Sequence, residues 1–444
     1  MKGDTSQTLL EPNASAKTKQ KIGYSSGIAN LGIIIVVIIV LLVIVVISIF
    51  LGRGGFNSQL QNQLKSTISK QGVGPDGQST KLGLPSCEGN EFFSVSPVSM
   101  DQFAGIIPLG ELGAGGHNFP TEFIMFGMIR TSGGSFEDAT IYSLGDIYVT
   151  KINGSRPDSE DDRKGYGIEF AACEELRGGM GFTSLSDKLL EEFVEPFDFC
   201  QEHTVGGSAT TESITYTLCE KSGLMIEVKA GEVIGGIEGG FKNTLNFGMH
   251  DLRNEPLDFA NPGRWVDKIL YAACPLNYFS DDVKTQLESR LGNISGDRPR
   301  TVEPICGEVE QDVAGTAQGA WFVEGTPVDP RATSDQSKHL SLAHDNVDPT
   351  RPVFVIGSSQ KGIEMRKFFF EPESSGYINR DFADVTPGEI YCYNNLTAGL
   401  RDRPLNLSIL LTMPNETTLH LGKNRENSCG TGPWKLDTYT VYER

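Results

Sequence analysis

From Ile33 to Leu51 the chain is an unbroken run of Ile, Val, Leu and one Phe, relieved only by Ser48. At about 1.5 Å of rise per residue, a helix of that length matches the roughly 30 Å hydrocarbon core of a bilayer. Residues 32–52 are therefore read as a transmembrane signal-anchor. A cleaved signal peptide would have a shorter apolar region followed by a small-x-small site, and SIFLGRGG is a poor one. Lys17, Lys19 and Lys21 precede the run and Arg53 follows it. The excess of cations before the span places residues 1–31, a polar and disordered tail, in the cytoplasm, and everything after residue 52 outside. The expectation is a single-pass, type II protein of the plasma membrane, with the membrane itself as one partner.

All 8 cysteines, Cys87, Cys173, Cys200, Cys219, Cys274, Cys306, Cys392 and Cys429, lie beyond that run. An even set confined to the exported side is the pattern of disulfides made in an oxidising compartment. Cys392 and Cys429 fall in one stretch and would pair naturally; the other connectivities stay open. No Cys-x-x-Cys pair or Cys/His cluster has zinc-finger spacing. Asn153, Asn293, Asn395, Asn406 and Asn415 open Asn-x-Ser/Thr triplets on the same side and are candidate glycosylation sites. With 38 Lys+Arg against 57 Asp+Glu, the net charge of −19 repels phosphate backbones, so no nucleic-acid partner is expected. Fifty-one Gly and 22 Pro point to a turn-rich, mainly β body.

Residues 53–86 read as a stalk, with Leu60, Leu64 and Ile68 at helical spacing before a Gly/Pro-rich linker. From residue 87 to 305, short β-type runs alternate with turns: Phe123–Ile129, Asp146–Ile152, Gly167–Ala171 and Ser213–Leu218. Two amphipathic helices interrupt them. Ser184 with Asp187 resembles a capping box before Leu185, Leu189 and Phe193; Ser280 precedes Val283, Leu287 and Leu291. Ile226–Lys229 and Glu232–Ile237 read as strands split by an Ala230-Gly231 turn. A reversal at Gly239 and Gly240 leads into a third strand through Leu245 and Phe247. Pro304–Gly307 looks like a boundary, and residues 306–444 form a second β-rich unit, a sandwich or barrel.

In PLGELGAGGHNFPTEFIMF a Gly-rich loop presents His117, with Glu122 at the entry to a strand. An imidazole and a carboxylate at a sheet edge can be two zinc ligands, although a loop histidine bound to solvent has the same appearance. Taken with GFTSLS, VKAGEVIGG and LNF, the order of these segments resembles the LytM-type, or M23, zinc peptidases with their duplicated-hybrid-motif β fold. The resemblance implies that His117 and Glu122 stand where the first two ligands stand. It also implies that Thr183, Thr244 and Asn246 occupy former ligand or catalytic-histidine positions along a groove. Since Thr and Asn are poor zinc ligands, the resemblance implies a degenerate site without catalytic residues. No cofactor is then expected, zinc being the one metal the ligand types would suit. His250 lies about 13 Å beyond Asn246 along an extended strand and is read as an ordinary surface histidine. The segments FPTEFIMF, NPGRWVDKILYAACPLNYF, CGEVEQDVAGTAQGAWF and LAHDNVDP also resemble prokaryotic membrane-anchored surface proteins of no assigned activity.

In the second unit, His339, His344, Asp345 and Asp348 cluster in KHLSLAHDNVDP, which suits a divalent cation or an ordinary turn. Nucleophile elbow, HExxH helix, phosphate loop and dinucleotide fingerprint are all missing from the sequence. The leading expectation is a non-catalytic, envelope-associated surface protein that binds envelope polymer or another surface protein. A live zinc hydrolase and a purely structural component are the two alternatives.

Overall fold

The computed structural model describes residues 81–156, 165–205, 214–238, 243–330, 335–399 and 402–444. All of them belong to one compact unit, Thr67–Arg444. The tail, the Ile33–Leu51 run, the helical part of the stalk and the Gly239–Gly240 reversal lie outside the described residues. Among the described residues no helix is long and apolar enough to cross a membrane.

Strand outweighs helix, 39% to 10%, and the sheet is curled into a half-barrel, so the body is mainly β. The first half contributes β1 (Phe103–Ile107), β2 (Phe123–Met128), β3 (Ala139–Tyr142), β4 (Ile147–Ser155), β5 (Tyr166–Ala171) and β6 (Leu176–Phe182). It continues with β7 (Ser184–Leu185), β8 (Phe199–Val205), β9 (Ile214–Val228), β10 (Val233–Ile237), β11 (Thr244–Asp251) and β12 (Ala272–Ala273). Nine of these form one antiparallel sheet in the order β1-β2-β11-β6-β5-β4-β9-β8, with β12 also on β11; β3, β10 and β7 form a small second sheet. The Ala230-Gly231 turn separates β9 from β10 as the sequence suggests, with Gly231 at φ +77°. One helix starts later than its capping box predicts. Ser184 and Leu185 pair with Gly236 and Gly235, so α1 covers only Asp187–Glu192. Strand pairing outcompetes the local helix signal there. Short α2 (Asp267–Leu270) follows β11, and α3 (Asp281–Glu288) begins after Ser280 as expected.

The second half contributes β13 (Gly319–Val323), β14 (Leu340–His344), β15 (Pro352–Ile356), β16 (Arg366–Phe369) and β17 (Ile390–Tyr393). Then come β18 (Thr397–Ala398), β19 (Arg403–Pro404), β20 (Ile409–Asn415), β21 (Thr418–Lys423) and β22 (Thr440–Glu443). They form one ten-stranded sheet in the order β17-β20-β21-β22-β13-β14-β15-β16-β18-β19. The sheet folds back on itself: Phe354 of the inner strand β15 meets Tyr393 of the end strand β17 at 4.9 Å between ring centres.

Each half has a large core cluster, and Val309, Ala320 and Phe322 of the second half belong to that of the first. Phe119 packs on Trp265, Phe322 and His339 at 5.1, 4.9 and 5.5 Å. The Asn118 side chain donates to the His339 carbonyl at 2.8 Å, and the Ser341 hydroxyl donates to the Asn118 carbonyl at 2.6 Å. A disulfide, Cys274–Cys306, crosses the expected boundary. The other pairs are Cys87–Cys173, Cys200–Cys219 and Cys392–Cys429, so no cysteine is free. Four disulfides fit a chain exposed to an oxidising, extracellular compartment. The folded body starts before Cys87. Leu82 and Leu84 donate their backbone N–H groups to the Glu174 carboxylate at 2.7 and 2.9 Å.

Candidate functional site

Strand β11 carries TLNFGMHD, with burial alternating at every residue. Leu245, Phe247, Met249 and Asp251 turn into the core; Thr244, Asn246, Gly248 and His250 share the other face, as period two requires. The neighbouring strands are then read by register, because partners in an antiparallel ladder project from the same side. One row runs Asn246–Gly181–Gly167–Asn153 across β11, β6, β5 and β4. The next runs Phe123–Gly248–Gly179–Glu169–Lys151, starting on β2. His250 opposite Arg177 closes one end. Four glycines thus meet in the middle of one sheet face, leaving a bare peptide floor between polar side chains. Asn246 and Asn153 stand three strand spacings apart, about 14 Å.

This floor is the base of a cavity of about 590 Å³, walled on one side by α2 through Asp267 and Lys268. That volume lies within the range of small-ligand clefts, about 300–1,000 Å³. Gly179 decides what kind of space this is. A Cβ built there meets only the Ile168 carbonyl oxygen, at 3.4 Å. Packing therefore does not require glycine at 179, and the missing side chain is what keeps the cavity open. At Gly167 a Cβ would instead lie 2.8 Å from the Asn153 Oδ1, which places the Asn153 amide over the floor.

The charged wall is paired. Lys151 binds Glu169 at 2.9 Å and Glu220 at 3.1 Å, Lys268 binds Glu122 at 2.8 Å, and Arg177 approaches Glu174 at 3.5 Å. Burial pulls the Lys151 pKa down, and Glu169 with Glu220 more than offset it, so it stands above its ordinary value. Glu122 shows the mirror case: desolvation raises it, and the Lys268 charge brings it below the usual carboxylate value. Burial, with Arg177 adding to it, lowers His250 to about 4, so its imidazole is neutral at pH 7. The surface reading of His250 is thereby corrected. It lies in the groove wall because positions 246, 248 and 250 share one face.

The residues singled out from the sequence are only partly brought together. Glu122 and Asn246 both line the cavity. His117 is exposed in a tight loop, its N–H donating to the Gly113 carbonyl at 2.8 Å, and its ring meets the edge of Phe123 at 5.6 Å. Glu122 is taken by the Lys268 ammonium, which a metal would have to displace. The Thr244 hydroxyl lies 3.5 Å from the Asn246 Oδ1, although Thr244 itself does not line the cavity. Thr183 does not line the cavity; its hydroxyl donates to the Gly236 carbonyl at 3.0 Å and accepts from the Glu238 N–H at 2.6 Å, tying β6 to β10. Among the described residues, the one cluster with metal-ligand types is Cys87, Cys173 and Glu175. Its two sulfurs are joined in a disulfide and offer no thiolate.

In the second unit, Asp345 is bound by Lys367 at 3.1 Å and caps the Val347 and Asp348 N–H groups, and Asp348 caps Thr350. These caps form the turn expected of that segment. His339 is buried at the junction and His344 pairs with Asp381 at 3.0 Å. Of the triplet asparagines, Asn395, Asn406 and Asn415 are exposed; Asn293 is held by Asp297 and Arg298; Asn153 lies in the groove. Sequence reasoning missed Arg177, Glu169, Lys151 and Lys268; of these only Glu169, between Ile168 and Phe170, carries the alternation of a strand, and Lys268 lies on α2.

No family model, no curated protein and no solved structure matches the chain.

Proposed function

We propose that this chain is a single-pass, plasma-membrane-anchored surface protein whose ectodomain binds an extended polar polymer in the glycine-floored groove, without catalysis. The observation that carries the reading is the open face of Gly179, a position the fold could fill and does not. The flanking amides of Asn153 and Asn246 and the paired charges supply donors and acceptors along the groove walls. In this reading the first sheet is an M23-like architecture put to another use, and the ten-stranded sheet is a sandwich that presents it. The zinc-hydrolase alternative is disfavoured by Lys268 on Glu122 and by Thr183 serving as a turn tie.

The test is retention of the soluble polymer fraction of cell envelopes by the full-length protein, wild type against Gly179→Phe. Retention that falls at least tenfold in the variant, with an unchanged melting temperature, supports groove binding. Equal retention by both proteins, or none by wild type, rejects it.

A further inference from the structure

The groove is charged, but every cation in it sits within 3.5 Å of a carboxylate. Its lining holds three cations, Lys151, Arg177 and Lys268, and three carboxylates, Glu122, Glu169 and Asp267. Lys151 and Lys268 each sit within 3.1 Å of a carboxylate, and Arg177 lies beside Glu174 and in the field of Asp267. An anionic polymer would have to break these pairs to gain a cation, and a cationic one would have to break them to gain Glu122 or Glu169. Either exchange leaves a partly buried charge without its partner, which is costly.

We infer that the ligand is an uncharged oligosaccharide chain, an inference that rests on the groove being the binding site. Sugar hydroxyls each donate and accept, so they can insert beside paired charges and amides without displacing either member. The glycine floor lets a ring lie flat against peptide planes. Phe123, half-buried at the end of one row, offers an apolar surface to ring C–H groups. An extended peptide fits less well. Peptides gain affinity by adding to a sheet edge, whereas β11, β6, β5 and β4 each have a hydrogen-bonded neighbour on both sides. A peptide laid on that face would find no backbone partners for its own N–H and C=O groups.

The experiment measures binding of the full-length protein to three probe sets: neutral hexasaccharides of glucose, mannose, galactose and N-acetylglucosamine, hexagalacturonate, and Gly/Ser/Pro hexapeptides. Wild type is compared with Gly179→Phe and, should that variant fail to fold, with Asn246→Ala. The expected result is binding of at least one neutral hexasaccharide, weakened about tenfold or more in the variant. Its affinity should change less than about twofold between low and high salt, since no ion pair forms with the ligand. Binding of hexagalacturonate or hexapeptide that the variant abolishes keeps the groove reading and overturns the neutral-sugar inference. Binding of no probe, or of probes the variant binds equally well, overturns both.

Discussion

In the ten-stranded sheet the inner face is filled by rings. Trp321, Phe354, Phe370, Phe382 and Tyr393 are all nearly or fully buried, and Phe354 alone contacts three other rings within 6 Å. In the nine-stranded sheet, rings crowd the core side, and among the described residues the groove face keeps only Phe123 and His250 at its margins. On the core side Phe170 and Phe247 stack at 6.5 Å, and Phe279 meets Phe247 edge-on at 6.2 Å. The opposite face of the same strands carries Gly167, Gly179, Gly181 and Gly248 in place of side chains. Both sheets are antiparallel and disulfide-braced, so the strand framework alone does not make a cavity. What makes one is the choice of residue at alternate positions on three adjacent strands.

The largest effect should come from breaking this contrast at its two extremes. Phe354→Ala empties a filled site and should cost about 3–5 kcal/mol in urea unfolding. Gly179→Leu adds a side chain to open space and should change stability by less than about 1 kcal/mol. If the second substitution is as damaging as the first, the groove is packed, and the contrast between the sheets is lost.

A smaller effect concerns protons. His250 titrates at about 4 in the folded chain, below its ordinary 6.5. The unfolded chain therefore takes up a proton first, and folding stability contributed by the neutral ring is present above about pH 6.5 and lost as pH falls towards 4. Against the wild type, His250→Asn should retain on the order of 2 kcal/mol more of its pH 7 stability at pH 4, a partial value because the site is open to water. Parallel melts at the two pH values read this directly. An unchanged acid limb would return His250 to the surface role read from the sequence.

Smallest is the expected response to zinc. Metal analysis of the full-length protein and of His117→Ala should give equal, sub-stoichiometric zinc, because Lys268 already neutralises Glu122. Stoichiometric zinc lost on mutation would favour the hydrolase.

Much of the fold was legible from local pattern. The expected strands Phe123–Ile129 and Gly167–Ala171 coincide within one residue with β2 and β5, and Cys392 pairs with Cys429. The strand most relevant to the site was not legible. LRGGMGF of β6 carries three glycines, which lower strand propensity and read as a turn. Those glycines persist in a central strand because both neighbours, β5 and β11, supply its hydrogen bonds. The chemistry that builds the cavity floor is also what hid it.

The sequence by itself determined the β class, the strand through Leu245 and Phe247, and the even cysteine set that forms four disulfides. Only the tertiary structure decided which residues share the groove. It brought Lys268 to Glu122 and Asn153 over Gly167, and it placed Lys151 between Glu169 and Glu220. The physical reason is that side-chain direction along a strand is local, set by the pleat. Which strands are neighbours, and in what register, depends on pairings between segments far apart in the chain.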